Sequence, residues 1–374
     1  MRKLGESIRA RARDEDPPED GYEGDYVREL ATQLPEAADA DPDELARQGV
    51  EAMLEAISAT LRRFRVEFDS WFSERALHEL DPSPVERHYA ELERAGHIYR
   101  SEGALWLRTS AFGDDKDRVL QRSTGEHTYF AADVAYHENK RERAFDRVID
   151  VFGADHHGYM GRVQAAWQAL GGAPGALEII IMQFVNVIER GERASMSKRR
   201  GDFVTLDELL DRIGVDAARF FLLQRSHDTT VDLDLDLARE QSSENPVYYV
   251  QYAHARIASI LAKAGDERVA EALGAPAAGA SPAAQLEPAE RTLVRKLVGF
   301  PAELEEAVER RAPHRIAAYG LELAQEFTAF YRDCRVVGAE PEMVESFRLA
   351  LSVATQRVIA RCLDLLGVEA PEAM

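Results

Sequence analysis

Cysteine is nearly missing from these 374 residues. Only Cys334 and Cys362 occur, in no spacing that suits a metal or a disulfide framework, and so few thiols fit a reducing compartment. Long apolar runs are missing too: no stretch approaches the roughly 20 residues of a membrane span, and the first residues lack the apolar core of a signal peptide. The expected location is therefore cytoplasmic, with no membrane partner. Positive charge is also scarce. Lys and Arg number 46 against 67 Asp and Glu, a net charge of −21, which excludes a surface coated for nonspecific nucleic-acid binding, because phosphate neutralisation supplies most of that affinity. Any RNA contact has to come from local basic patches. Arg62-Arg63-Phe64-Arg65, Lys140-Arg141-Glu142-Arg143 and Lys198-Arg199-Arg200 are the candidates, and each also reads as a solvated helix face or loop.

With 45% hydrophobic and 30% charged residues the chain has the composition of a folded protein, long enough for about two domains. Residues 14 to 25 are an acidic, Pro-containing connector. Asp41-Pro42-Asp43-Glu44 starts an amphipathic helix to residue 63, with Leu45, Val50, Met53, Leu54, Ile57 and Leu61 at helical spacing, and 83 to 95 repeats the pattern. From residue 97 short strands follow: 98–100, 104–108 and 118–122. A helix from about Ala131 to Phe145 leads to a buried strand over 147–152, a helix from Gly158 to Leu170, and a further strand over 177–184. Strands alternating with helices point to a parallel α/β sheet. After Val231 everything from Asn245 to Leu366 reads as helix, apart from an Ala/Gly/Pro-rich loop at 273 to 284. The expected division is 1–238, α/β, and 239–374, all-α.

The most informative stretch is Met196-Ser197-Lys198-Arg199-Arg200-Gly201, followed by the helix start Thr205-Leu206-Asp207-Glu208. A short basic turn of this kind can bend over a triphosphate and bring a lysine to it; it also reads as an ordinary charged turn. Three other motifs accompany it in order. They are Gly153-Ala154-Asp155-His156-His157-Gly158-Tyr159 before the turn, then Gly214-Val215-Asp216-Ala217-Ala218-Arg219-Phe220-Phe221 and Asn245-Pro246-Val247-Tyr248-Tyr249-Val250-Gln251-Tyr252-Ala253-His254-Ala255-Arg256 after it. Together with the ending Leu365-Leu366-Gly367-Val368-Glu369-Ala370-Pro371-Glu372-Ala373-Met374, they resemble the bacterial arginyl-tRNA synthetases, a class I family. The resemblance runs from about Leu4 to Met374 and corresponds to the C-terminal two-thirds of the family's chain. The family's N-terminal tRNA-elbow-binding domain and first βαβ unit with its H-I-G-H-type signature have no counterpart, and the ten histidines include no H-x-G-H.

The resemblance implies a partial Rossmann-like catalytic domain and a C-terminal helical-bundle anticodon-binding domain. It implies ATP-dependent formation of arginyl-adenylate and transfer of L-arginine to tRNA(Arg), with Mg2+ accompanying ATP. The alternative function is a tRNA-binding fragment without catalysis, or one half of a split synthetase. A monomer is expected, with a separate N-terminal fragment as the other partner to consider.

Residue by residue, an always-charged guanidinium needs a fixed carboxylate and neutral acceptors. Tyr129 and Asp133, at i and i+4, can face one cavity, although Asp133 also reads as an acid at a helix N-terminus and Tyr129 as core. The resemblance makes Tyr129, Asp133 and His156 the arginine contacts, and Gly153, Asp155, His156, Met196, Ser197 and Lys198 the ATP contacts. The adjacent histidines find no further ligands at zinc spacing, so no metal site is expected. Lys198 is the expected catalytic cation, closing on the pyrophosphate leaving group as its charge builds. Ser195 stands where the family's loop has its first lysine, which leaves Arg193, Arg199 or Arg200 to replace that charge. In the helical part Tyr248, Gln251, Tyr252 and Arg256 share a helix face, and the resemblance assigns that domain to the anticodon stem and loop. A tyrosine stripe packing on neighbouring helices is the competing reading.

Overall fold

The computed structural model describes residues 2–79, 82–193, 204–274 and 286–374. In chain order the elements begin with α1 (Arg2–Ala12), α2 (Asp25–Gln33), α3 (Pro42–Arg63) and α4 (Pro84–Arg94). Then come β1 (Ile98–Ser101), β2 (Ala104–Leu107), β3 (Arg118–Gln121), α5 (Tyr129–Glu142), β4 (Val148–Gly153), α6 (Met160–Ala169), β5 (Leu177–Met182), β6 (Val185–Glu189) and β7 (Glu192–Arg193). The chain continues through α7 (Leu206–Leu223), β8 (Val231–Asp234), α8 (Leu235–Arg239), α9 (Pro246–Ala264), α10 (Asp266–Gly274), α11 (Pro288–Glu309), α12 (His314–Asp333) and α13 (Glu342–Leu366). Every described strand precedes Leu235 and only helices follow, the α/β part and helical part anticipated above. No described helix is long and apolar enough to cross a membrane.

Local chemistry sets these starts. Asp41 caps α3 by accepting from the backbone N–H groups of Asp43 and Glu44, and Pro42 fills the first helical position, where no donor is needed. Ser83 with Glu86 and Thr205 with Glu208 form reciprocal capping boxes at α4 and α7. The Asn245 side chain does two jobs at α9. Its oxygen accepts from Val247 and its amide donates to the carbonyls of Ala238, at 3.1 Å, and Glu240, at 2.8 Å, so its buried polar atoms are satisfied.

The sheets are small. β1, β2 and β3 form an antiparallel meander apart from the parallel pairs, which are β4 with β5 and β6 with β8. The turns after Ser101 and Leu107 are too short for a crossover, which is why these three strands cannot run parallel. Strand 147–152 is not buried on both sides as its composition suggests: Val148 and Asp150 are buried, whereas Ile149 and Val151 are exposed. Likewise α3 buries Leu45 and leaves Leu54 and Ile57 exposed, because its packing against α1 occupies its first half, around Gly49.

Packing divides the chain into two compact units that are not continuous in sequence. One is Met1–Glu67, Val185–Ser226 and Val231–Met374; the other is Phe68–Phe184 with His227–Thr230. This differs from a linear division at 238. In the first unit Leu210, Phe220, Phe221 and Leu233 share one apolar core with Val250, Ile257, Leu323, Phe327 and Leu363. Polar ties reinforce it. Arg63 pairs with Asp207 and Asp211, Arg65 with Asp216 and Glu369, and Arg219 donates to the carbonyls of Phe64 and Leu366, both at 2.7 Å. Two glycines permit this arrangement. Gly214, at φ +77°, breaks α7 and redirects its second half, and Gly367, at φ +66°, ends α13 where a Cβ would lie 2.4 Å from Arg219 Nε. The second unit has a core of Leu92, Leu105, Leu107, Leu120, Phe130 and Val134, and a smaller cluster of Val148, Val163, Trp167 and Leu177.

Candidate functional site

In the second unit Thr128 caps α5 by accepting from Ala131 N–H while its own hydroxyl donates to the Val119 carbonyl at 2.8 Å, which ties the helix start to β3. One turn in, the half-buried Asp133 takes a short hydrogen bond from the Tyr159 hydroxyl. Burial and then this bond to Asp133 push the Tyr159 hydroxyl above the ordinary tyrosine range, so it remains a donor. One carboxylate oxygen is thereby fixed and the other is left for a second donor.

Beneath Asp133 lies a buried ionic cluster. His137 Nδ1 lies 2.7 Å from the Asp133 carbonyl oxygen and His137 Nε2 lies 2.7 Å from Asp150 Oδ2, while Lys140 Nζ lies 2.5 Å from Asp150 Oδ1. Burial alone would push the Asp150 carboxyl up, but the hydrogen bonds from His137 and Lys140 outweigh it and hold it below the usual range. The backbone of α5 at Asp133 is thus pinned to β4. The sequence reading passed over Tyr159 and His137. The available signals were the place of Tyr159 at the end of the Gly153–Tyr159 stretch and the lone acid Asp150 inside a β-branched run.

Gly153 ends β4, and residues 154–159 form a short 3-10 turn leading into α6. Here the His156 ring sits between Phe152 and Tyr159, at centroid distances of 5.7 and 6.1 Å. The Asp155 carboxylate is exposed, 3.8 Å from His156 Nε2. Asp133 and His156 therefore converge on Tyr159, at the C-terminal end of a parallel strand, where open α/β sheets present their ligand-binding residues. Tyr129 does not join them. It is 88% exposed at the first position of α5 and lines a cleft with His78 and Arg122. Among the described residues the metal-capable grouping is His88, Glu91 and Glu138, not the adjacent histidines, and Arg141 binds the Glu138 carboxylate. Met196, Ser197 and Lys198, with Ser195, Arg199 and Arg200, lie outside the described residues.

In the first unit the four residues expected on one face of α9 separate into two roles. Tyr248 and Tyr252 stack with centroids 6.1 Å apart and planes 12° from parallel, and Tyr252 is 45% exposed. Arg256 lies over the Tyr331 ring of α12 at 4.5 Å. Gln251 departs from the expectation. It is 9% exposed, and its amide donates to Asp216 at 2.8 Å and to the Glu369 carbonyl at 2.9 Å. With His254, whose Nδ1 meets the Pro371 carbonyl oxygen at 2.8 Å, it holds the last residues of the chain. In the two basic stretches that lie among the described residues, Arg63 and Arg65 pair with acids of their own unit, Lys140 with Asp150, and Arg141 with Glu138.

Comparison with known proteins matches residues 38–259 to the family model "tRNA synthetases class I (R), catalytic domain" and residues 250–374 to the "DALR anticodon binding domain". The arginine–tRNA ligase of Moorella thermoacetica is 45% identical over 366 residues, which cover 96% of this chain and 64% of the relative. A putative arginyl-tRNA synthetase structure from Campylobacter jejuni superposes with a TM-score of 0.89 at 32% identity, covering 100% of this chain and 82% of the other. For the Thermus thermophilus arginyl-tRNA synthetase the TM-score is 0.72 at 25% identity, covering 93% and 69%. The chain thus spans just under two-thirds of the length of the Moorella relative.

Proposed function

The chain belongs to the arginyl-tRNA synthetase family, and we propose that it is the larger part of an arginine–tRNA ligase, carrying one side of the catalytic centre and an anticodon-binding region. The activity is ATP-dependent: the arginine carboxylate attacks the α-phosphorus, pyrophosphate leaves, and the arginyl group passes from the adenylate to the 3′ end of tRNA(Arg). Mg2+ accompanies ATP, the location is cytoplasmic, and the working form is a monomer of the completed enzyme. The functional division falls near residue 238, inside a single packing unit.

Asp133 carries this reading. A carboxylate held on one oxygen by Tyr159 and pinned through its backbone by His137 is suited to an always-charged guanidinium, whose planar donors reward a fixed acceptor. His156, beside Tyr159, borders both arginine and ATP, with Gly153 and Asp155 on the nucleotide side. Tyr129 reaches the substrate from the rim. Lys198, with Met196 and Ser197, neutralises the leaving pyrophosphate, a transition-state contact that affects rate more than binding. Tyr248, Tyr252 and Arg256 face the anticodon stem-loop, while Gln251 supports them from inside.

The test is tRNA-dependent exchange of pyrophosphate into ATP with arginine as the varied substrate, in the chain alone and in the chain joined to the remaining part of a relative. The expected outcome is little turnover alone and strong turnover when completed. Robust aminoacylation by the 374-residue chain by itself would overturn the partial-enzyme reading. Stem-loop binding with no turnover in the completed enzyme would favour a noncatalytic tRNA-binding role.

A further inference from the structure

Helices α4 and α5 pack against each other in the second unit, with Val85 and Leu92 of α4 and Phe130 and Val134 of α5 in one apolar core. Three polar side chains meet between the same two helices and lie outside the site around Asp133. His88 and Glu91, at i and i+3, leave α4 on the same side, and Glu138 comes from the third turn of α5. One ligand-type atom from each lies within 4.8 Å of those of the other two. His88 is 7% exposed and Glu138 2%, whereas Glu91 is exposed. The group is therefore closed on its inner side and open to water at Glu91.

Its geometry differs from that of an ordinary hydrogen-bonded cluster. His88 Nδ1 lies 3.5 Å from Glu91 Oε2, past the roughly 2.7–3.2 Å of a good N–H···O bond. That separation is close to the ~3.3–3.4 Å between two ligands of a tetrahedral zinc with bonds of about 2.0–2.1 Å. Among the described residues it is also the only hydrogen-bond contact of the His88 ring, so a buried imidazole is left without a full-strength partner. Glu138 is held firmly instead. Arg141 Nε donates to Glu138 Oε2 at 2.7 Å, and an Arg141 terminal nitrogen binds the other oxygen. Each carboxylate oxygen keeps a second lone pair, so this fork orients the carboxylate, as outer partners of metal ligands do, and leaves it able to coordinate. Two carboxylates against one guanidinium also leave negative charge for a cation to neutralise.

We propose that His88, Glu91 and Glu138 form a zinc site, completed by a water in the fourth position, that clamps α4 to α5. Three protein ligands and a water are a usual zinc set, and a buried imidazole nitrogen disfavours calcium and magnesium, which take oxygen. Occupancy stiffens the helix whose second turn carries Asp133. The site stands on its own chemistry and holds whichever reaction the chain performs.

The probe is zinc chloride, titrated by calorimetry into the full 374-residue chain after treatment with a chelator. One ion should bind per chain, raise the unfolding temperature and slow hydrogen exchange in α4 and α5. Glu91→Ala, at an exposed position, should leave the zinc-free unfolding temperature unchanged and weaken zinc binding by more than about tenfold, the least that losing even an outer partner costs. Co2+ in place of zinc should give the visible spectrum of a tetrahedral ion, and Glu91→Ala should remove it. His157→Ala, at the adjacent histidine pair, should bind zinc as the parent does. The proposal is overturned by the absence of a one-to-one isotherm, which would leave Arg141 as the cluster's own cation. Binding that Glu91→Ala leaves unchanged, or that His157→Ala abolishes, would also overturn it.

Discussion

Tyr159 donates its hydroxyl proton to the carboxylate of Asp133, linking the end of the Gly153–Tyr159 turn to the second turn of α5. If Asp133 receives the guanidinium, Tyr159 sets where that carboxylate points. In the completed enzyme Tyr159→Phe should raise the Michaelis constant for arginine by an amount worth about 1.5–3 kcal/mol, the usual value of a hydrogen bond to a charged group. Asp133→Asn should cost more, roughly 3 to 5 kcal/mol, because the substrate cation loses its counter-charge. Steady-state kinetics with arginine varied decides it: unchanged constants in Asp133→Asn would make Asp133 only a helix-terminus acid.

Asp150 should make the second unit acid-sensitive. Its carboxyl is held below its ordinary value of 3.8 by His137 and Lys140. A group depressed on folding stabilises the fold above its unfolded pKa, and that contribution disappears as the pH falls through the lower folded value. Asp150→Asn should lower stability at neutral pH by about 1–3 kcal/mol and flatten the loss of stability below about pH 4. Chemical unfolding across that acid range reads both effects.

Tyr252 and Gln251 sit side by side on α9 and should fail differently. Tyr252→Ala should weaken binding of an anticodon stem-loop by about 1–3 kcal/mol, with folding intact, if the exposed ring stacks on a base. Gln251→Ala should instead lower the unfolding temperature and speed hydrogen exchange around Glu369, because Asp216 and the Glu369 carbonyl lose their shared donor. Loss of folding in the Tyr252 variant would support the packing reading of the tyrosine pair.

Lys198→Ala should lower the rate of arginyl-adenylate formation in the completed enzyme by an amount worth about 3–4 kcal/mol, with little change in the Michaelis constant for ATP and none in stem-loop binding. A loss confined to ATP affinity would place Lys198 in ground-state binding.

Gly214→Ala should destabilise the first unit by more than about 1 kcal/mol, since its backbone at φ +77° and ψ 164° suits only glycine. Thermal unfolding measures this directly, and an unchanged midpoint would mean that α7 straightens without cost.

The helix starts were legible because Asp41-Pro42, Thr205 with Glu208, and Asn245-Pro246 are local capping chemistry. The order of strands before helices was legible for the same reason. Long-range choices were not. That 98–122 folds as a meander, that Ile149 and Val151 lie bare, and that α7 shares a core with α9 and α13 depend on partners distant in sequence. At the candidate site, the sequence singled out Asp133 by its i, i+4 spacing with Tyr129 and the family resemblance, and His156 by the Gly153–Tyr159 stretch. Their common partner Tyr159 and the pinning by His137 depend on contacts that spacing does not encode. On α9 the helical period placed Tyr248, Gln251, Tyr252 and Arg256 on one face. It could not say that Gln251 turns inward to meet Asp216 and Glu369.

The unit that joins residues 1–67 to 231–374 brings together segments far apart along the chain. The other unit, apart from residues 227–230, is complete in sequence by Phe184 and can begin folding on the ribosome. Arg65 must wait for Asp216 and then for Glu369, and Arg219 for the carbonyl of Leu366. Closing these contacts spans loops of up to 304 residues, the kind of nonlocal pairing that slows folding. Synthesis therefore completes the core of α1 to α3 and their ion pairs with α7 early, but leaves Arg65 and Arg219 without these last partners until α13 and the residues after it have emerged.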